Sequence, residues 1–247
     1  MSIESDEDLR GLQHVGRMVA LILAEMQSAA VPGITTAALD AIGAAAMKRL
    51  GVRSAPQATY CFPGFTCISV NEEIVHGVPG PRRLSTGDLV KVDVTAEAGG
   101  YVADAARTVI IGRGSALASR LRRSTVSALR AALRAARAGE PVSAIGRAVE
   151  LQARSDGFTV VRELCGHGVG RAIHEDPQVP NYENRWQRDV LTEGLVIAVE
   201  PMLTAVPARA EQMRDGWTIR TSNRALAAHE EHTIVVRRDG PLVLTAA

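Results

Sequence analysis

With 247 residues, 46% of them hydrophobic, the chain carries enough apolar material for one large core. A formal net charge of +1 supplies no global field toward nucleic acid or a membrane surface, and no apolar run approaches the roughly 18 residues of a membrane span. Three cysteines, Cys61, Cys67 and Cys165, cannot all pair and form no Cys-x-x-Cys site, which suits a reducing, cytoplasmic compartment, as does an acidic N-terminal stretch unlike a signal or transit peptide.

The first predicted element is a helix over 6–30, with Leu12, Val15, Val19, Ile22, Leu23 and Met26 on one stripe and acidic residues in its first turn, where the helix dipole favours them. Pro32-Gly33 ends it. Thr35 or Thr36 caps a second helix bearing Leu39, Ile42, Ala46 and Leu50, and Gly51 stops that one. From Ser54 to Val78 the pattern predicts short strands and turns, with a strand over 67–70 and His76 set just before a turn.

Leu89 to Val109 predicts a β-hairpin. Val90, Val92 and Val94 share one parity, Lys91, Asp93 and Thr95 the other, as in a half-buried strand, and Gly99-Gly100 supplies the turn. A turn centred between Ala98 and Gly99 sets Asp93 directly opposite Asp104. Opposed like charges about 4 Å apart repel by about 4 kcal/mol at an effective dielectric of about 20. A shared proton or a divalent cation held by both groups relieves this; a slipped register with one aspartate in solvent avoids it.

A helix is expected over 115–138, with Leu117, Leu121, Thr125, Leu129 and Leu133 spaced four apart and Gly139 as its C-cap, and a shorter one over 143–154. Both are rich in arginine, including Arg120, Arg122, Arg123, Arg130 and Arg147, which is read as a solvated face, with RNA contact as the alternative. A strand over 158–164, a glycine-rich segment around His167, a strand over 195–200 and a closing hairpin ending in 233–238 complete the chain. Each half thus reads as two helices and then strands with acidic residues, a duplication of architecture that would enclose one site.

In Cys165-Gly166-His167-Gly168-Val169-Gly170-Arg171 one histidine sits among three glycines, with His174 seven residues later. Glu200 precedes Pro201 at the end of an apolar strand, and Glu231 lies in His-Glu-Glu-His-Thr-Ile just before another. Each alone is a turn residue or a strand-end charge. Together with the two aspartates they form an oxygen-rich donor set suited to Mn, Co, Fe or Zn, and two divalent ions would balance the four carboxylates.

These residues carry a resemblance to the type I methionine aminopeptidases. It covers nearly the whole chain and rests on Asn-Glu-x-x-x-His-Gly with His76, Lys-Val-Asp-Val-Thr with Asp93, Gly-Tyr-x-x-Asp with Asp104, Gly-His-Gly-Val-Gly-Arg with His167, His174-Glu-x-Pro, Glu200-Pro-Met, Asp215-Gly-Trp217-Thr and Glu231-His-Thr-Ile. The resemblance implies a single catalytic domain over 1–247 with the pita-bread α/β (α+β) fold, a pseudo-twofold arrangement of a curved antiparallel sheet flanked by two helix pairs. It implies two divalent ions (Co, Mn, Fe or Zn) held by Asp93, Asp104, His167, Glu200 and Glu231, with Asp104 and Glu231 bridging. Glu200, His174 and His76 would be the catalytic groups: Glu200 moving the proton of the attacking water, His174 facing the developing oxyanion and His76 the scissile amide. The implied substrates are the N-terminal peptides of nascent proteins with a small second residue. A monomer is expected, with transient ribosome contact and neither membrane nor specific nucleic acid as partner. The helical insertion of the type II branch has no room between Glu200 and Glu231, and no zinc-binding extension precedes the first helix.

At the pocket the sequence departs from the family pattern. Phe62, Cys67, His76, His174 and Trp217 fall at expected substrate-binding positions. Thr59 stands for a usual tyrosine, Pro56 for a cysteine and Ile173 for a phenylalanine, and the bridging aspartate is followed by Ala105-Ala106 rather than by two hydroxyl residues. The alternatives are a proline-directed peptidase of the same fold, which usually carries an additional N-terminal domain, and a non-catalytic ribosome- or RNA-binding relative, which would be expected to lose ligands.

Overall fold

A capping box starts the first helix, α1 (Asp6–Ala29): Ser5 accepts from the Asp8 amide, and the Asp8 carboxylate accepts from the Ser5 amide. In the computed structural model, which describes residues 1–246, α1 packs on the central hairpin and α2 (Thr36–Leu50) packs on α1. Leu12, Val15, Val19, Ile22, Met26 and Leu39 meet Val90, Val92 and Val94 there in one core. A six-residue helix, α3 (Ala55–Tyr60), follows, and the second pair, α4 (Ala116–Ala135) and α5 (Ser143–Ser155), covers a second core of Leu121, Leu129, Ile145 and Val149 with Ile197, Val199 and Ile234. All strand ladders among the described residues are antiparallel. Two helix pairs over antiparallel strands are the pita-bread arrangement expected. No helix among the described residues is long and apolar enough to cross a membrane.

The hairpin differs from expectation in register. Its strands, Leu89–Ala98 and Tyr101–Ile110, pair Ala98 with Tyr101, so Thr95 faces Asp104 and Asp93 faces Ala106. The turn is centred on Gly99-Gly100 because both have positive φ, 59° and 80°, as a two-residue type I′ loop requires. A displacement of two leaves face assignments intact, since side chains alternate with period two. Asp93 and Asp104 therefore stay on one face as diagonal neighbours. The strand is buried on both faces rather than one: Lys91 is 1% exposed, and its ammonium donates to the carbonyls of Asn71 and Leu89.

Other elements also differ. The expected strands and turns after Ser54 include α3, started by Ser54, whose hydroxyl accepts from the Gln57 amide, and by Pro56 in its first turn. Of the expected stripe on α4, Leu121, Thr125 and Leu129 are buried, together with Ala118, Ser124, Ala128 and Ala132, while Leu117 is 43% exposed because a strict spacing of four drifts around a 3.6-residue helix. That helix ends at Ala136 rather than at Gly139, whose amide instead donates to the Leu191 carbonyl. The strand expected over 158–164 shrinks to Thr159–Val160, the chain bending away at exposed Arg162 and Glu163, and the later strands trim to Val196–Val199 and His232–Val235.

The turn geometry predicts that Gly99→Asn, a residue that tolerates positive φ and meets open space there, changes stability by less than about 0.5 kcal/mol. Gly100→Val should lose about 1–2 kcal/mol. Chemical denaturation of the two variants checks both, and equal losses would contradict the turn.

Candidate metal centre

Five strands deliver the expected donors to one place. Asp93 and Asp104 project from the hairpin, His167 from the strand Cys165–Gly168, Glu200 directly follows Val196–Val199, and Glu231 directly precedes His232–Val235. The last two strands pair His232 with Val199, so their extensions carry Glu200 and Glu231 side by side. His167 pairs with Ala198, which brings its Nε2 to 3.4 Å from Glu200 Oε1. The hairpin is strapped to the His232 strand by side-chain hydrogen bonds. The Asp104 amide donates to the Thr233 hydroxyl (2.9 Å), which donates to the Asp104 carbonyl (2.8 Å). The Glu231 amide donates to the Ala106 carbonyl (2.9 Å), and Arg107 Nη1 donates to the Glu231 carbonyl (2.6 Å). Beside this strap Glu230 is buried against Arg107, and burial still pushes its carboxyl up to about 7.

The interior of the site is crowded with carboxyl groups. Burial raises the carboxyls of Asp93, Glu200 and Glu231 well above the usual range, and for all three the Asp104 charge adds to it. Asp93 Oδ1, Asp104 Oδ1 and Glu231 Oε1 are buried with no hydrogen-bond partner. Buried carboxylates without partners or counter-charge are strongly unfavourable, and bound cations are the ordinary remedy. The donors fall into two overlapping triads, Asp104, His167 and Glu231, and Asp93, His229 and Glu231, each with its ligand atoms within 4.8 Å of one another. Oxygen and imidazole donors in this arrangement fit divalent transition metals. Glu231 is common to both triads.

His229, which heads the His-Glu-Glu-His segment, joins the site without being among the residues the sequence points to. It is 1% exposed, and burial takes its imidazole down to about 3, so the ring is neutral.

Beside the metal centre lies a pocket lined by Pro56, Tyr60, Phe62, Cys67, Ile173 and Trp217, with His76 and His174 at the junction. Asp40 holds its wall, accepting from the amides of Phe65 and Thr66 and from the Thr66 hydroxyl. Phe62 and Trp217 meet edge to face at 5.3 Å. Thr59 does not line this pocket. The helical turn of α3 leaves it exposed and presents Tyr60 instead, whose hydroxyl lies 2.8 Å from His174 Nδ1. A tyrosine therefore lines the pocket, one residue on from Thr59. His174 packs edge-on to His167 at 4.5 Å, and burial lowers the pKa of His174 and of His76. His76 adopts a left-handed backbone, φ 57°, between its strand and Gly77. The next residues are clipped to the Trp217 loop, the Val78 amide donating to the Thr218 hydroxyl.

Residues 10–238 match the model of metallopeptidase family M24. The chain is 41% identical over 247 residues to a protein named methionine aminopeptidase 2 from Bacillus subtilis, covering 99% of each chain. It is 37% identical to the methionine aminopeptidase of Escherichia coli K12, covering 99% of this chain and 94% of that one. The crystal structure of methionine aminopeptidase from Thermotoga maritima superposes with a TM-score of 0.96 at 35% identity over the full length of both chains.

Removing the Asp104 charge without changing side-chain shape should relieve its repulsion on Asp93, Glu200 and Glu231. Asp104→Asn is therefore expected to raise the melting temperature of the chelator-treated protein by a few degrees, on the order of 1 kcal/mol for a chain of this size, while abolishing the further rise that metal gives the wild type. A metal-free variant melting below the metal-free wild type would contradict the electrostatic account.

Proposed function

The chain belongs to metallopeptidase family M24, and from that premise we propose that it removes the N-terminal methionine from peptides and nascent proteins whose second residue is small, using two divalent ions held by Asp93, Asp104, His167, Glu200 and Glu231. The observation that carries this reading is the cluster of orphaned, buried carboxylate oxygens opening directly onto an apolar, aromatic-lined pocket. The proline-directed and non-catalytic alternatives are not favoured, since relatives spanning the full chain at 37–41% identity are named methionine aminopeptidases and all five expected donors are present.

Divalent ions bound there supply Lewis-acid polarisation of the scissile carbonyl and acidify a water. Glu200 takes the proton of the attacking water and passes it to the leaving amine, a role suited to a carboxyl whose burial holds its proton affinity high. Burial keeps His174 neutral near pH 7. The Tyr60 hydroxyl, 2.8 Å from Nδ1, orients the ring; in the tautomer protonated on Nε2, His174 offers that proton to the carbonyl oxygen as negative charge develops. His76 faces the scissile amide. The carboxylates of Asp93 and Asp104 border both pocket and metal centre, so a free α-amino group is held where only the first peptide bond can reach the reacting groups. The methionine side chain occupies the pocket of Tyr60, Phe62, Cys67, Ile173 and Trp217. We infer a monomeric, single-domain enzyme that acts in the cytoplasm on chains leaving the ribosome.

Met-Ala-Ser should lose methionine in the presence of Mn, Co or Fe and remain intact when metal is stripped, while the N-acetylated peptide should not react under any condition. Turnover that persists with elemental analysis showing no metal would overturn the metallopeptidase mechanism, and equal rates on Met-Ala-Ser and Ala-Pro-Ser would overturn the methionine assignment.

The pocket yields a second expectation. A thioether gains about 0.3–1.5 kcal/mol from an aromatic neighbour beyond plain burial, and Ile173, 4% exposed on the pocket wall, supplies none of it. Ile173→Phe should raise the Met-to-norleucine ratio of kcat/KM by about 2- to 10-fold on matched tripeptides. An unchanged ratio would mean that Tyr60, Phe62 and Trp217 already set the preference.

A further inference from the structure

His229 lies at the heart of the metal centre, yet it belongs neither to the five donors implied by the family resemblance nor to the proton-transfer groups. Its ring is 1% exposed, and neither Nδ1 nor Nε2 has a hydrogen-bond partner. A buried imidazole serving only to fill space would be expected to bond at least one nitrogen, because leaving a polar group orphaned costs about 1–3 kcal/mol. Nε2 lies 3.6 Å from Glu200 Oε2 and 3.7 Å from Glu231 Oε2. Those separations are too long for hydrogen bonds. They are close to the edge of a coordination polyhedron, since two donors about 2.1 Å from one tetrahedral ion stand about 3.4 Å apart. A His229 ring nitrogen also lies within 4.8 Å of carboxylate oxygens of both Asp93 and Glu231.

The backbone beneath the ring is fixed. The His229 amide donates to the Thr108 hydroxyl (2.9 Å), which donates to the His229 carbonyl (2.6 Å), and His229 pairs with Met202 in the neighbouring strand. Thr108 lies on the strand that bears Asp104, so the same strand that carries one metal ligand also clamps His229 in place.

Resting on the dinuclear reading above, we propose that His229 is a sixth protein donor, its Nε2 completing the Asp93 side of the centre as His167 completes the Asp104 side. Each ion then has one imidazole, and Glu231 is shared. Without His229 the Asp93-side ion would see carboxylates alone from the protein, a set suited to hard ions. Adding an imidazole turns that position toward Co, Fe or Zn at the expense of Mn or Mg.

The full-length protein, labelled with nitrogen-15 in its histidine rings, stripped of metal and loaded with two equivalents of cadmium-113, reads the assignment directly. Two cadmium signals are expected, each coupled to one imidazole nitrogen, and His229→Gln should remove one coupling and leave the other. Isothermal titration of that variant with Co should show one of the two affinities reduced at least about tenfold and the other unchanged. Two bound cadmium ions with only one coupled imidazole in the wild type would overturn the proposal while leaving the dinuclear reading intact, and this result does not depend on whether the variant folds. Failure of the wild type to bind any divalent ion would overturn both.

Discussion

Asp93, Asp104, Glu200 and Glu231 crowd together around one cavity, with little of their surface exposed. A folded chain tolerates this only if something larger holds it in place. Here two apolar cores do so, each made by a helix pair on one half of the molecule, and the carboxylates lie where strands of the two halves come together. The hydroxyls of Thr108 and Thr233 and the guanidinium of Arg107 bind backbone to backbone across that seam. The side-chain carboxylates are thereby left free of protein donors. A site with its oxygens already hydrogen-bonded would be stable without metal and poor at holding it; this one is biased the other way.

The aromatic residues follow the same economy. The chain has three Phe, three Tyr and two Trp, and Tyr60, Phe62 and Trp217 all line the one pocket adjoining the carboxylates. Their rings confer shape on the apolar side of the junction, and Tyr60 extends its influence to the polar side through His174. The two functions meet in one short helix, α3, whose existence turns on a serine cap and a proline in its first turn.

Most of the donor set was legible because it rests on period-two alternation and on strand ends, which sequence reveals directly. Asp93 and Asp104 were put on one face even though the hairpin register was displaced by two, since an even displacement preserves faces. The displacement itself came from choosing where two adjacent glycines place the turn, a matter of their φ angles that no spacing pattern records. Thr59 differs for another reason: a helical turn lies in a segment punctuated like a loop, and within that turn it is Tyr60 that reaches the pocket. The significance of His229 is tertiary. Only the closeness of Glu200 and Asp93, brought from distant parts of the chain, distinguishes it from any histidine at a strand end.

Protons and metal compete for the same oxygens, and the direction of that competition follows from the raised pKa values of Asp93, Glu200 and Glu231. In the unfolded chain these carboxyls ionise in the ordinary range, whereas in the metal-free fold they hold their protons to higher pH. The fold therefore keeps the benefit of neutral carboxyls below the unfolded pKa and loses it as pH rises through the folded values. Metal binding runs oppositely, since each ligand must be deprotonated before it coordinates. The metal-free protein is thus weakest in the pH range where metal binds most tightly.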